Sequence, residues 1–202
     1  MRTTHFNGTI PMIATRKFCL LFIVASGLCT LAARAQITNL PSTELETFEA
    51  QTGTVMVKGA GQIGSLAVDA VNIQVISKES LKVSTGHRQY GMAVEADANN
   101  QQVWKKLVDY DEMDSLLSGL NYLARIDYKV TAQPTFVASY VTRSGLRVGA
   151  FTSQRRGVIQ YFLQDYSITS PRILITSAQL TEFQDLVEET KKDLDALQAA
   201  HE

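Results

Sequence analysis

Cysteine is scarce in this chain and sits where it can do little for a folded domain: of 202 residues only Cys19 and Cys29 carry a thiol. Both fall within the first 35 residues, so a product cut after Ala35 has no disulfide, no thiol nucleophile and no cysteine-ligated metal. Histidine is nearly as rare, and His87 is the one example away from the two chain ends. A histidine-rich transition-metal site is thereby excluded, and a Ser-His-Asp triad has only His87 to build on. His87 follows Gly86 in an expected turn and no G-x-S-x-G elbow accompanies it, so an exposed turn histidine is expected. Neither a catalytic set nor a cofactor is expected. Excess charge is missing too, because 19 basic and 20 acidic residues leave a net charge of −1. That balance is an average. Residues 1–35 hold Arg2, Arg16, Lys17 and Arg34 and no acid, and without them 15 basic face 20 acidic side chains, or −5 over 167 residues. Such a sign argues against a nucleic-acid-binding module.

Long apolar runs are few. The N-terminal one, Phe18–Ala33, spans 16 residues, short of the roughly 20 a bilayer-spanning helix needs. Arg16-Lys17 precedes it and Ala33-Arg34-Ala35 closes it, giving the charged n-region, apolar core and A-x-A site of a secretory signal peptide cleaved after Ala35. An uncleaved anchor is the alternative. Met12 opens a leader of more ordinary length than Met1, so either can start translation. Cys29 follows Leu28 rather than a small residue, which speaks against a lipidated cysteine, and the sequon Asn7-Gly8-Thr9 lies upstream of the cut. The expected destination is the periplasm or the extracellular space, with no transmembrane segment after cleavage.

After the leader, residues 36–52 read as an exposed lead-in with one turn of helix around Leu45–Phe48, and 53–202 as a single α+β domain. Strand-like stretches open it: Thr54–Lys58, then Val71, Ile73 and Val75 alternating with polar residues, then Leu81 and Val83, then Tyr90–Ala96, then Val103–Val108. Period-2 alternation with one polar face indicates antiparallel, half-buried sheet. Met113, Leu116, Leu117, Leu120, Leu123 and Ala124 then recur at helical spacing. A second strand set follows at Thr135–Thr142, Leu146–Thr152, Val158–Gln164 and Ile173–Thr176, closed by a helix striped with Leu180, Phe183, Val187, Leu194 and Leu197. That last stripe also fits heptad positions but is too short for a coiled coil. A shift of 67 residues lays Met113 on Leu180, Leu116 on Phe183 and Leu120 on Val187, and lays Asp109-x-x-Glu112 on Thr176-x-x-Gln179, both capping-box patterns. The expectation is two antiparallel strand sets, each followed by an amphipathic helix.

Four features invite chemistry. Gly59-Ala60-Gly61-Gln62-Ile63-Gly64 fits G-x-G-x-x-G, but a dinucleotide fold needs a helix to begin there, and the period-2 pattern that follows points to glycines in a β-turn or bulge. Asp109-Tyr110-Asp111-Glu112-Met113-Asp114 is the densest acidic cluster. It fails the EF-hand pattern at positions 5, 6 and 12, occupied by Met113, Asp114 and Leu120; Asp109 is expected to cap the helix that follows. Arg143, Arg147, Arg155 and Arg156 gather around two expected hairpin turns and form the candidate ligand-binding group, since arginine forks match carboxylates and phosphates. Charged hairpin ends that keep sheet edges soluble are the other reading of the same arginines.

The stretches Gly53–Gly59, Asp109–Leu123 and Leu180–Val187 resemble a group of small, often exported, uncharacterised bacterial proteins. The resemblance spans most of the chain after the leader and implies no activity, ligand or catalytic residue. On these grounds we expect an exported, non-enzymatic domain that binds a protein or a small anionic ligand and no nucleic acid. A hydrolase or isomerase using carboxylates such as Asp109 and Asp111, and a structural component of an envelope assembly, are the alternatives.

Overall fold

The computed structural model describes residues 43–99, 101–152, 158–167 and 170–201, which belong to one compact unit. The class is α+β: two four-stranded antiparallel sheets with helices. Helix α1 is Glu44–Glu49. The first sheet follows, with β1 Met56–Val68, β2 Val71–Lys82, β3 His87–Ala98 and β4 Gln101–Asp109, paired in chain order. A 3-10 turn at Tyr110–Glu112 leads into α2, Met113–Ala124. The second sheet is β5 Val137–Val141, β6 Leu146–Thr152, β7 Ile159–Asp165 and β8 Ile173–Ile175, again in chain order, and α3 runs from Ser177 to Ala199. None of these helices is long and apolar enough to cross a membrane.

Alternation sorts each sheet into two faces. Leu66, Ile73, Val75, Met92, Val94 and Val108 of the first sheet, and Leu146, Val148, Ala150 and Leu163 of the second, enter one core with α2 and α3. Met113, Leu116, Leu120 and Leu123 of α2 are all buried, as their three- and four-residue spacing requires, and so are Leu180, Phe183, Val187 and Leu194 of α3. Each such side chain withdrawn from water contributes about 1.5–3 kcal/mol. The one hydroxyl on the α3 stripe, Thr190, is fully buried and donates to the Leu186 carbonyl at 2.7 Å. Lys106 of β4 meets Asp165 at the end of β7 at 2.8 Å, tying the two sheets together.

Several expectations are revised, and the stretch at Leu81 and Val83 is no strand of its own because β2 runs unbroken from Val71 to Lys82. The strand expected to end at Lys58 runs on to Val68 straight through the glycine motif, with a register shift between Gln62 and Gly64. A Cβ on Gly64 would stand 2.5 Å from Leu186 Cδ2. The glycine therefore serves as a seat for α3, and its bulge turns the strand there. A further revision concerns the strand-to-helix handovers. At α3, Thr176 accepts from the Gln179 amide at 3.1 Å and the Gln179 side chain answers the Thr176 amide at 2.9 Å, a complete capping box. At α2 the Asp109 side chain makes no capping bond, because the 3-10 turn intervenes and the carboxylate is drawn elsewhere. The 67-residue correspondence thus stops short of a matched pair of handovers.

Residues 43–49 of the expected lead-in are not uniformly exposed: Leu45 is fully buried and Phe48 nearly so. α1 lies on the face of the first sheet that α3 leaves open. Leu45 packs with Ala93, Leu107 and Ile76 in a second small core.

Candidate functional site

The acidic cluster and the hairpin arginine meet. Asp109, wholly buried at the end of β4, accepts from the Glu44 and Leu45 amides at 2.8 and 3.0 Å and from Arg143 Nη1 at 3.0 Å. Asp109 does cap a helix, but the helix is α1, about 65 residues upstream, and two amides of its first turn are satisfied that way. Thr43 and Glu46 complete the start of α1 with a capping box of their own. Arg143 stands in the turn between β5 and β6 and also holds Asp111 through Nη2, while its backbone amide donates to Glu112 Oε1 at 2.9 Å. Those carboxylates lift the Arg143 guanidinium even further above its ordinary range, the Asp111 bond most of all. Burial pushes the Glu112 carboxyl up, against the pull of Arg143, and Glu112 Oε2 is buried without a hydrogen-bond partner.

Chemically this is a clip. One cation and two helix amides hold Asp109 and Asp111, while Glu112 keeps one oxygen without a partner, and two surface grooves are lined by other side chains. A groove of about 450 Å³ lies at the end of α2, beside Tyr122, Arg125, Asp127 and Lys129. Another, of about 630 Å³, runs between the end of β1 and the start of α3, beside Asp69, Gln160, Tyr161 and Gln179. Among the described residues no group of three His, Cys, Asp or Glu side chains is placed to hold a metal ion.

A second constellation occupies the outer face of the second sheet, away from the core. Phe162 alternates outward between the core residues Tyr161 and Leu163, yet is fully buried while belonging to neither apolar core. Its cover is built from Arg147 of β6, with the guanidinium carbon 5.5 Å from the ring centroid, and Arg172 just before β8, at 4.7 Å. Arg147 also lies over Tyr166 at 5.8 Å and Arg172 over Phe151 at 5.4 Å. Gly149 makes room beneath: it pairs with Phe162 across the sheet, and a Cβ there would stand 2.5 Å from Phe162 Cζ. Arg147 pairs with Gln164, and Arg172 occupies the next position of the β7–β8 register on the other side of Gln164, so the three form one cross-strand row.

The candidate arginines therefore have separate surroundings. Arg143 is committed to the acidic clip, Arg147 is stacked on rings, and Arg155 and Arg156 lie outside the described residues. Arg172, which sequence reasoning missed, joins Arg147. Its signal was faint: a proline precedes it, no alternation includes it, and only the register of β7 with β8 sets it opposite Gln164. His87 is exposed at the start of β3, in edge-on contact with Phe48 at 5.3 Å. His201 is held near Glu79 at 3.5 Å by the last turn of α3. No family model, no curated protein and no solved structure matches the chain, so the site is described by its own geometry alone.

Proposed function

We propose that this is an exported, non-enzymatic binding domain whose working surface is the outer face of the second sheet. One observation carries the reading: Asp109 and Asp111, the carboxylates a hydrolase or isomerase would draw on, are held by Arg143 and the α1 amides, whereas Arg147 and Arg172 have no carboxylate partner among the described residues. A four-strand set followed by a helix, used twice, is the architecture we infer behind it, with both helices on the inner side and one sheet face left for contacts.

Site-specific photocrosslinking in intact cells tests this. A photoreactive residue replacing Leu174, 49% exposed on the outer face, should give an adduct that the pair Arg147→Gln and Arg172→Gln abolishes. Equal adducts from Asp185 on α3, or turnover of an ester, amide or glycoside that Asp111→Asn removes, would overturn the reading. The exposed valines of edge strand β5, Val137 at 54% and Val141 at 37%, favour a second reading, assembly of copies through the sheet edge. A monomer by light scattering at high concentration would count against it.

A further inference from the structure

We infer that the Arg147–Gln164–Arg172 row is a recognition site for an extended acidic peptide segment of a partner protein, an inference that rests on the binding-domain reading above and names its ligand. Charge distribution comes first. Between residues 130 and 176 the chain has five arginines, no lysine and a single acid, Asp165, and that acid is taken by Lys106. From residue 177 onward it has seven acids against two lysines. Of the five arginines, Arg143 is neutralised by the acidic clip and Arg155 and Arg156 lie outside the described residues, which leaves Arg147 and Arg172 as cations on one face with no carboxylate partner among the described residues.

How the two cations are held selects the ligand. A guanidinium stacked on a ring uses its flat face there, and its in-plane N–H groups stay available to fork a carboxylate. Between the arginines, Gln164 is fixed by donating through Nε2 to the Ser170 carbonyl at 2.8 Å, while its Oε1 and the Nε of Arg147 are both buried without a partner. A buried orphan donor and acceptor on neighbouring strands are a standing cost of the row. Nucleic acid is disfavoured because Phe151 and Phe162 are covered by guanidinium groups and offer no free ring for base stacking. A small free anion is disfavoured because neither Arg147 nor Arg172 lines either of the two grooves, at the end of α2 and between β1 and α3, where a small ligand would be buried. An extended segment can instead run across the strands, placing carboxylates on Arg147 and Arg172 and apolar side chains on Val141 and Leu174, exposed on the same face.

The test is fluorescence anisotropy with the purified protein and a labelled dodecapeptide of alternating glutamate and valine. Binding should be saturable, weaken at least tenfold between 50 and 500 mM salt as a screened charge interaction must, and fall at least tenfold in Arg147→Gln/Arg172→Gln. The control Arg125→Gln/Lys129→Gln, two cations at the far end of α2, should bind as the wild type. If the double variant does not fold, the wild-type protein answers alone, because the Arg147 Nε–H and Gln164 amide resonances should shift on adding peptide. Absence of peptide binding, binding unaffected by the double substitution, or a preference for a single-stranded oligonucleotide or anionic vesicles over the peptide would overturn the assignment. Each of those results leaves the crosslinking test of the binding-domain reading untouched, so the two failures are distinguishable.

Discussion

At the scale of single residues, Arg143 and Asp109 show why position within the fold outweighs residue type. Asp109 carries its charge with no exposure, so it needs the two α1 amides and the guanidinium together. Removing the cation leaves the buried carboxylate with amides only. Arg143→Ala should therefore cost about 3 kcal/mol in urea unfolding. Asp111→Asn breaks a bond to the same guanidinium, but Asp111 is 54% exposed, and the change should cost under about 1 kcal/mol. The sequence shows that an aspartate stands where a strand gives way to a helix, which is why a cap is the natural expectation. It cannot show which helix is capped, because the amides that Asp109 serves are about 65 residues away and only the closed fold brings them together. Phe162 is similar: its outward position in an alternating strand reads as exposed, and the two arginines that cover it come from β6 and from the residue before β8.

Among the elements, those with strong internal periodicity are legible from the sequence. α2 and α3 declare themselves by apolar stripes, and β6 is found with its ends correct because Arg143-Ser144-Gly145 marks its start and alternation its body. α1 is six residues long, too short for a stripe to separate it from a loop, and its stability comes almost wholly from contacts outside itself. Leu45 is the anchor, seated on Gly91 and packed against Ala93 and Leu107. Leu45→Ala should destabilise the protein by about 2–5 kcal/mol, and hydrogen exchange should quicken first at the Glu44 and Leu45 amides that Asp109 protects. Equal loss of protection in α2 would mean that α1 is not a separately docked element. Within β1 the glycines hid the strand, since they lack side chains to alternate, and Gly64 owes its place to Leu186 of α3.

Over the whole molecule, charge is arranged to join parts and to leave one face cationic. The Lys106–Asp165 pair bridges the two sheets with both side chains under one-fifth exposed. Burial would raise the Asp165 carboxyl, but the bonds from Lys106 and the Ser167 amide outweigh it and hold it below its ordinary value. A carboxyl lowered by folding stabilises fully above its unfolded value near 3.9, and that contribution is lost as pH falls through the folded value. Asp165→Asn should accordingly be less stable than the wild type at pH 7, with the two unfolding curves converging towards pH 2. Glu112 works the other way: its raised carboxyl costs stability above the folded value, and that cost fades as the group protonates on acidification.

The same distribution makes the outer face of the second sheet the place to look for a partner. The most direct measurement is a two-dimensional NMR titration of the isotopically labelled protein with the glutamate–valine dodecapeptide, mapped residue by residue. The predicted result is a set of shifts confined to Val141, Arg147, Gln164, Arg172 and Leu174. Shifts centred instead on Lys58, Lys78 and Lys82 of the first sheet, or none at saturating peptide, would contradict the account.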